Sequence, residues 1–135
     1  METLSFETTR FGTLEVRKDR IIYFDAGIPG FTYAKRYILI DYKDTEIKWL
    51  QSIDDPDLAF IVTDAHLFNP EYSVKIDDAT RRFLELNDDK DLVILLILRI
   101  ENNKIIPNLY GPLLINASTM KGMQILLDNL EKNRA

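Results

Sequence analysis

The single histidine is the first side chain to weigh for chemistry. His66 stands two residues after Asp64, in Asp64-Ala65-His66-Leu67-Phe68. An imidazole near a carboxylate can begin a proton relay, but a relay also needs a nucleophile held against the base. No serine sits in a Gly-x-Ser-x-Gly frame, and the chain contains 0 cysteines. As metal ligands, Asp64 and His66 lack a third and fourth donor at workable spacing. Asp54, Asp55 and Asp57 crowd one turn as calcium ligands do. Pro56 interrupts that pattern, however, and the required glycine and distal glutamate are missing. The glycines form neither Gly-x-Gly-x-x-Gly nor a Gly-x-x-x-x-Gly-Lys loop, so no phosphate cradle is expected. No carboxylate pair stands out for glycoside chemistry. The sequence reads as a non-enzyme that needs no metal and no cofactor.

Composition narrows the class further. With 135 residues, 46% hydrophobic and 29% charged, the chain suffices for one domain with its own core. The absence of cysteine removes disulfides from the account. The longest apolar run, residues 92–98, is far below the ~18 residues of a membrane span. The first residues show neither the basic start nor the apolar block of a signal peptide, and a cytoplasmic protein is expected. Residues 41–91 hold 14 acids against 6 bases and account for the whole net charge of −5. Such a field keeps a protein soluble; it also repels phosphate and favours basic partners. Small barrels often bind single-stranded nucleic acid; here Arg17, Lys18 and Arg20 cluster on one turn, and Lys35-Arg36 lie near Phe31 and Tyr33. The basic footprint of that class is nonetheless missing, so direct nucleic-acid contact is not expected.

The element pattern is that of a mainly β chain. Residues 49–72 form the centre, from the only tryptophan through an acidic proline turn and an apolar strand to Phe68-x-Pro70-x-Tyr72. β-branched and aromatic residues predict strands at 47–53 and 58–62, joined by the turn 54–57. Upstream, 6–10 and 13–17 read as a hairpin closed at Phe11-Gly12, followed by strands at 21–24 and 37–42. Gly27-Ile28-Pro29-Gly30 is a rigid loop whose aromatics, Phe31 and Tyr33, either pack or bind. Downstream, a brief strand is expected at 73–76. One short helix is expected near 78–86, capped by Asp77 or Asp78, with Ala79, Phe83 and Leu86 on one face. Residues 92–100, 113–116 and 123–127 read as strands, with a loop at 101–104 and a turn at 120–122. Eight or nine short strands and one helix predict a small antiparallel β-barrel or sandwich-like single domain over residues 1–129. Residues 130–135 read as a frayed polar tail.

Several stretches resemble one family. Thr9-Arg10-Phe11-Gly12 and Gly27-Ile28-Pro29-Gly30-Phe31 are similar to the opening signatures of the FliW flagellar assembly factors. Trp49-Leu50-Gln51-Ser52, Pro56-x-Leu58-Ala59-Phe60 and Phe68-x-Pro70-x-Tyr72 resemble that family's central block. Asn108-Leu109-x-x-Pro112, Ile115-Asn116 and Gly122-x-Gln124-x-x-Leu127 resemble its C-terminal signature. Order and spacing hold over residues 6–129. The chain departs from the pattern at Ala65, where a proline is common, at Ile106-Pro107, and in a tail without the family's tyrosine.

The resemblance implies a partner-switching regulator in the cytoplasm, here expected as a monomer. FliW-like proteins bind flagellin, and they bind CsrA, the RNA-binding repressor of flagellin translation. When secretion draws flagellin away, the freed factor captures CsrA, docks away from its RNA-binding surface, and lifts repression. On this reading Asp41, Asp44, Glu46, Asp54, Asp55 and Asp57 steer and seat the basic flank of CsrA. Phe31, Tyr33, Phe68 and Tyr72 are the aromatics against which a flagellin helix would pack, although each also reads as ordinary core. The alternatives are a chaperone for flagellin alone and a single-stranded nucleic-acid binder.

Overall fold

Turn residues cut this chain into strands short enough to curl round on themselves. The computed structural model describes residues 2–127. Gly12, at a φ of +72° that a side chain would strain, joins β1 (Thr3–Thr8) to β2 (Gly12–Arg17). A 3-10 turn at Lys18–Arg20 leads to β3 (Ile22–Tyr23) and then to the Gly-Pro-Gly loop. The meander β4 (Arg36–Asp41), β5 (Ile47–Ser52) and β6 (Ala59–Asp64) follows. Two short helices, α1 (Ala65–Phe68) and α2 (Asp78–Leu84), precede β7 (Leu92–Glu101), β8 (Lys104–Pro107), β9 (Leu113–Asn116) and β10 (Lys121–Gln124).

The sheet runs β6-β5-β4-β3-β10-β9-β7-β8, and β6 also pairs with β7, so seven strands close into a barrel. The ten-residue β7 makes the closure. Leu95 to Leu98 pair with β6 along one edge, while Leu92 to Leu95 pair with β9 and Leu98 to Glu101 with β8 along the other. β8 therefore branches off the barrel as the second arm of a ribbon. The opposite seam is slight: β3 meets β10 in parallel through the single pair Lys121 and Tyr23.

Alternation along the strands sorts the side chains. Tyr37, Leu50, Val62, Leu95, Leu113 and Ile115 fill the barrel together with Ile22, Phe24 and Ile28. Gly122 lets the Phe24 ring approach so closely that a Cβ there would meet the ring at 2.8 Å. Outside, two covers bury part of the wall. The β1–β2 hairpin lays Phe6, Leu4, Leu14 and Val16 on Ile38 and Ile40 of β4. The segment from α1 to residue 86 lays Ala65, Tyr72, Leu84 and Leu86 on Ile94, Leu96 and Leu114. Each large apolar side chain so buried contributes about 1.5–3 kcal/mol.

The mainly β class and the barrel agree with the sequence reading, and the helix expected near 78–86 is α2. Its cap is Asp77, whose carboxylate accepts from the Thr80 N–H at 2.8 Å. Several details differ. α1 is a second helix, a single turn that Asp64 caps by accepting from the N–H groups of His66 and Leu67. Residues 73–76 are not a strand; Val74 and Ile76 pack as irregular chain against the second cover. The loop expected at 101–104 is the tip of the β7–β8 hairpin, with Asn102 and Asn103 both at positive φ, as a primed turn requires. The last strand starts at Lys121, not at residue 123, because Asn116 folds residues 117–120 into the turn by accepting from the Ser118 N–H at 2.9 Å. The expected end of the domain at 129 and the tail 130–135 lie outside the described residues.

Candidate interaction surface

Between the two covers the barrel wall is bare. Across it, β-pairing sets Trp49 beside Ile61, Ile61 beside Leu98, and Leu98 beside Pro107. With Tyr42, Ile47, Ile100 and Ile105 these side chains line an open trough of about 360 Å³. Ile47, Leu98 and Ile105 also line an adjoining recess of about 430 Å³, walled by Thr45, Glu46, Thr63, Leu67 and Phe68. The two form one continuous depression. Its apolar rim is unusually open to water, with Ile100 67%, Leu67 58%, Ile105 56% and Phe68 50% exposed. Contiguous apolar surface of this kind marks an interaction site. The trough exists because every second residue of β5, β6 and β7 points outward, and the two covers meet it only at its margins, through Arg10 and Phe11 on one side and Leu67 and Phe68 on the other.

Charge marks both ends. At one, the Arg10 guanidinium lies 4.2 Å from the Trp49 ring centroid, while Phe11 meets that ring edge-on at 6.0 Å. At the other, the β4–β5 turn carries Asp41, Asp44 and Glu46. Asp41 is ion-paired with Lys48, and Lys43 leans over the Tyr42 ring at 5.3 Å. Among the described residues, Asp44 and Glu46 have no cation within 4.0 Å.

The acids expected to act together are thus split between opposite ends of β5, about 16 Å apart by strand rise. Asp54, Asp55 and Asp57 sit in the β5–β6 turn and are engaged within the fold. Asp54 accepts from the Lys35 and Arg36 amides, each at 2.9 Å, and pairs with the Arg36 guanidinium at 2.8 Å. Partial burial opposes its ionisation, but the Lys35 amide and the Arg36 amide and guanidinium outweigh it and hold the carboxyl below its usual range. Asp55 accepts from the Tyr33 hydroxyl at 2.7 Å and from the Asp57 N–H at 2.9 Å. That hydrogen bond, before the neighbouring charge, pushes the Tyr33 phenol up. Asp57 accepts from the Thr9 hydroxyl, which ties the turn to the β1–β2 hairpin.

The four candidate aromatics do not meet either. Phe68 lines the recess that adjoins the trough. Tyr33 is exposed, but it stands at the far end beside Asp55. Phe31 is half-buried edge-on against Phe60 at 5.2 Å and packs on the core. Tyr72 is 1% exposed and donates its hydroxyl to the Leu109 carbonyl at 2.9 Å; burial pushes its phenol up to about 12. Its expected place on an exposed groove is therefore corrected: the ring anchors the second cover. His66 likewise serves the fold, its ring hydrogen-bonded to the Tyr72 carbonyl at 3.0 Å. The sequence reading missed Tyr42, Trp49, Ile61, Ile100 and Ile105 as surface. Alternation in 47–53 could have exposed Trp49, whereas β7 is apolar on both faces and gives no such signal.

Comparison with known proteins places this geometry. A family model described as FliW protein matches residues 5–134. The chain is 38% identical over 130 residues to the flagellar assembly factor FliW of Caldanaerobacter subterraneus subsp. tengcongensis, covering 93% of this chain and 87% of that protein. It is 39% identical over 132 residues to the flagellar assembly factor FliW of Thermoanaerobacter pseudethanolicus, covering 95% and 88%. A crystal structure of the flagellar assembly factor FliW superposes with a TM-score of 0.85 at 30% identity, covering 93% of this chain and 90% of that one.

Proposed function

The chain belongs to the FliW family of flagellar assembly factors, and from that premise we propose that it is a cytoplasmic partner switch, monomeric by itself, which binds flagellin and CsrA in alternation. The observation that carries the reading is the continuity of the trough with the acidic β4–β5 turn. Phe68 and Glu46 line the same recess. An apolar helix face of flagellin fits the bare wall, and a basic flank of CsrA fits Asp41, Asp44 and Glu46. Because the two footprints overlap, one partner displaces the other by mass action, with no cofactor and no covalent step. Asp54, Asp55 and Asp57 add to the acidic field that speeds encounter with a basic protein, although their side chains are already hydrogen-bonded. RNA is not a ligand here; repression lifts because CsrA is held.

Size-exclusion chromatography with light scattering tests this. The protein mixed with CsrA should elute as a complex, and added monomeric flagellin should dissolve it. A protein that binds flagellin yet leaves CsrA on its RNA would be a chaperone only.

A further inference from the structure

The trough has different charges at its two ends, and this specifies its occupant more narrowly. We propose that it takes an amphipathic helix of about three turns bearing a basic side chain at the end over Asp44 and Glu46 and a carboxylate at the end over Arg10. This rests on the reading above, in which flagellin enters the trough. The floor spans three adjacent strands, at Trp49, Ile61 and Leu98. At ~4.8 Å between strands that is about 10 Å, the width of a helix with its side chains. Strand addition is the poorer fit, since the free edge of β8 is four residues long, begins at Lys104 and ends at Pro107, which has no N–H to donate.

Charged groups surround the trough. On the β7–β8 hairpin Arg99 pairs with Glu101, and Lys104 has no carboxylate within 4.0 Å among the described residues. At the Trp49 end, Asp54 is paired with Arg36, while Asp55 and Asp57 keep their charge but have their carboxylates turned to the Tyr33 and Thr9 hydroxyls. Arg10 has no carboxylate within 4.0 Å among the described residues and is held in place by the Trp49 ring. At the Phe68 end, Lys48 is taken by Asp41 and Lys43 lies over Tyr42, while Asp64 caps α1. Asp44 and Glu46 remain for a partner's cation. A helix seated the other way round would set its cation against Arg10 and its carboxylate against Asp44 and Glu46.

Monomeric flagellin titrated against charge variants tests the assignment. Arg10→Glu should weaken binding about three- to tenfold, and Arg10→Lys should restore most of it. Glu46→Lys should weaken it by a similar factor. If only the acidic field mattered, Arg10→Glu would tighten binding of a basic partner, and that result overturns the proposal. Ile105→Glu, which places a charge on the trough wall, separates the two claims. If it leaves flagellin binding intact, the trough is not the site and the underlying reading fails. If it abolishes binding while Arg10→Glu does not weaken it, the trough stands and the matched charges do not.

Discussion

The two acidic turns at the ends of β5 have similar composition and opposite standing in the molecule. The β5–β6 turn is closed: Asp54 takes two backbone amides and a guanidinium, Asp55 a phenol, and Asp57 a threonine hydroxyl. The β4–β5 turn is open: Asp44 and Glu46 face water beside an apolar trough. Acidic residues in a turn do not by themselves report a binding site. What distinguishes the two turns is whether the fold already satisfies their oxygens, and only the unsatisfied turn also borders bare apolar surface.

Substitutions at the closed turn should act on stability and those at the open turn on association. The largest effect is expected for Asp54→Ala, which leaves the Lys35 and Arg36 amides without their acceptor. A loss of about 1–3 kcal/mol should appear in urea unfolding, with the slope unchanged. The same group gives a pH signature. Its folded carboxyl titrates below its unfolded value, so the unfolded chain binds more protons and the stabilisation is complete above about pH 4. It is lost as pH falls through the lowered folded value. The stability gap between the parent and Asp54→Asn should therefore narrow in acid, and a gap independent of pH would contradict the assignment. Phe68→Ala should change stability by less than about 1 kcal/mol, since half of its ring is exposed, yet weaken flagellin binding several-fold in calorimetry. Smallest in stability is Asp44→Lys with Glu46→Lys: no measurable shift in melting temperature, but slower CsrA association and a flatter salt dependence in stopped flow. A greater slowing from Asp55→Lys with Asp57→Lys than from the open-turn pair would reverse the contrast between the turns.

The reach of the sequence follows from what each signal depends on. Strands β4 to β7 and the α2 cap are legible because alternation, turn chemistry and capping are local. β8 is hidden, since the four residues after Asn102-Asn103 give no strand signal of their own until both asparagines are known to take positive φ. Barrel closure is hidden for a different reason: it depends on β7 serving three partners and on one pair between β3 and β10. Within the interaction surface, Phe68, Asp44 and Glu46 were legible as candidates. Tyr72 was misplaced because the carbonyl that takes its hydroxyl lies 37 residues away in the chain. Trp49 was recognised as the opening of the central stretch, and its outward direction follows from alternation with the inward Leu50.

The central claim is that one surface serves both partners, and Ile105→Glu tests it most directly. Calorimetric titration of this variant with flagellin and, separately, with CsrA should show both affinities lost together while the melting temperature stays near that of the parent. Loss of flagellin binding with CsrA binding intact would place the two partners on separate surfaces and contradict the account.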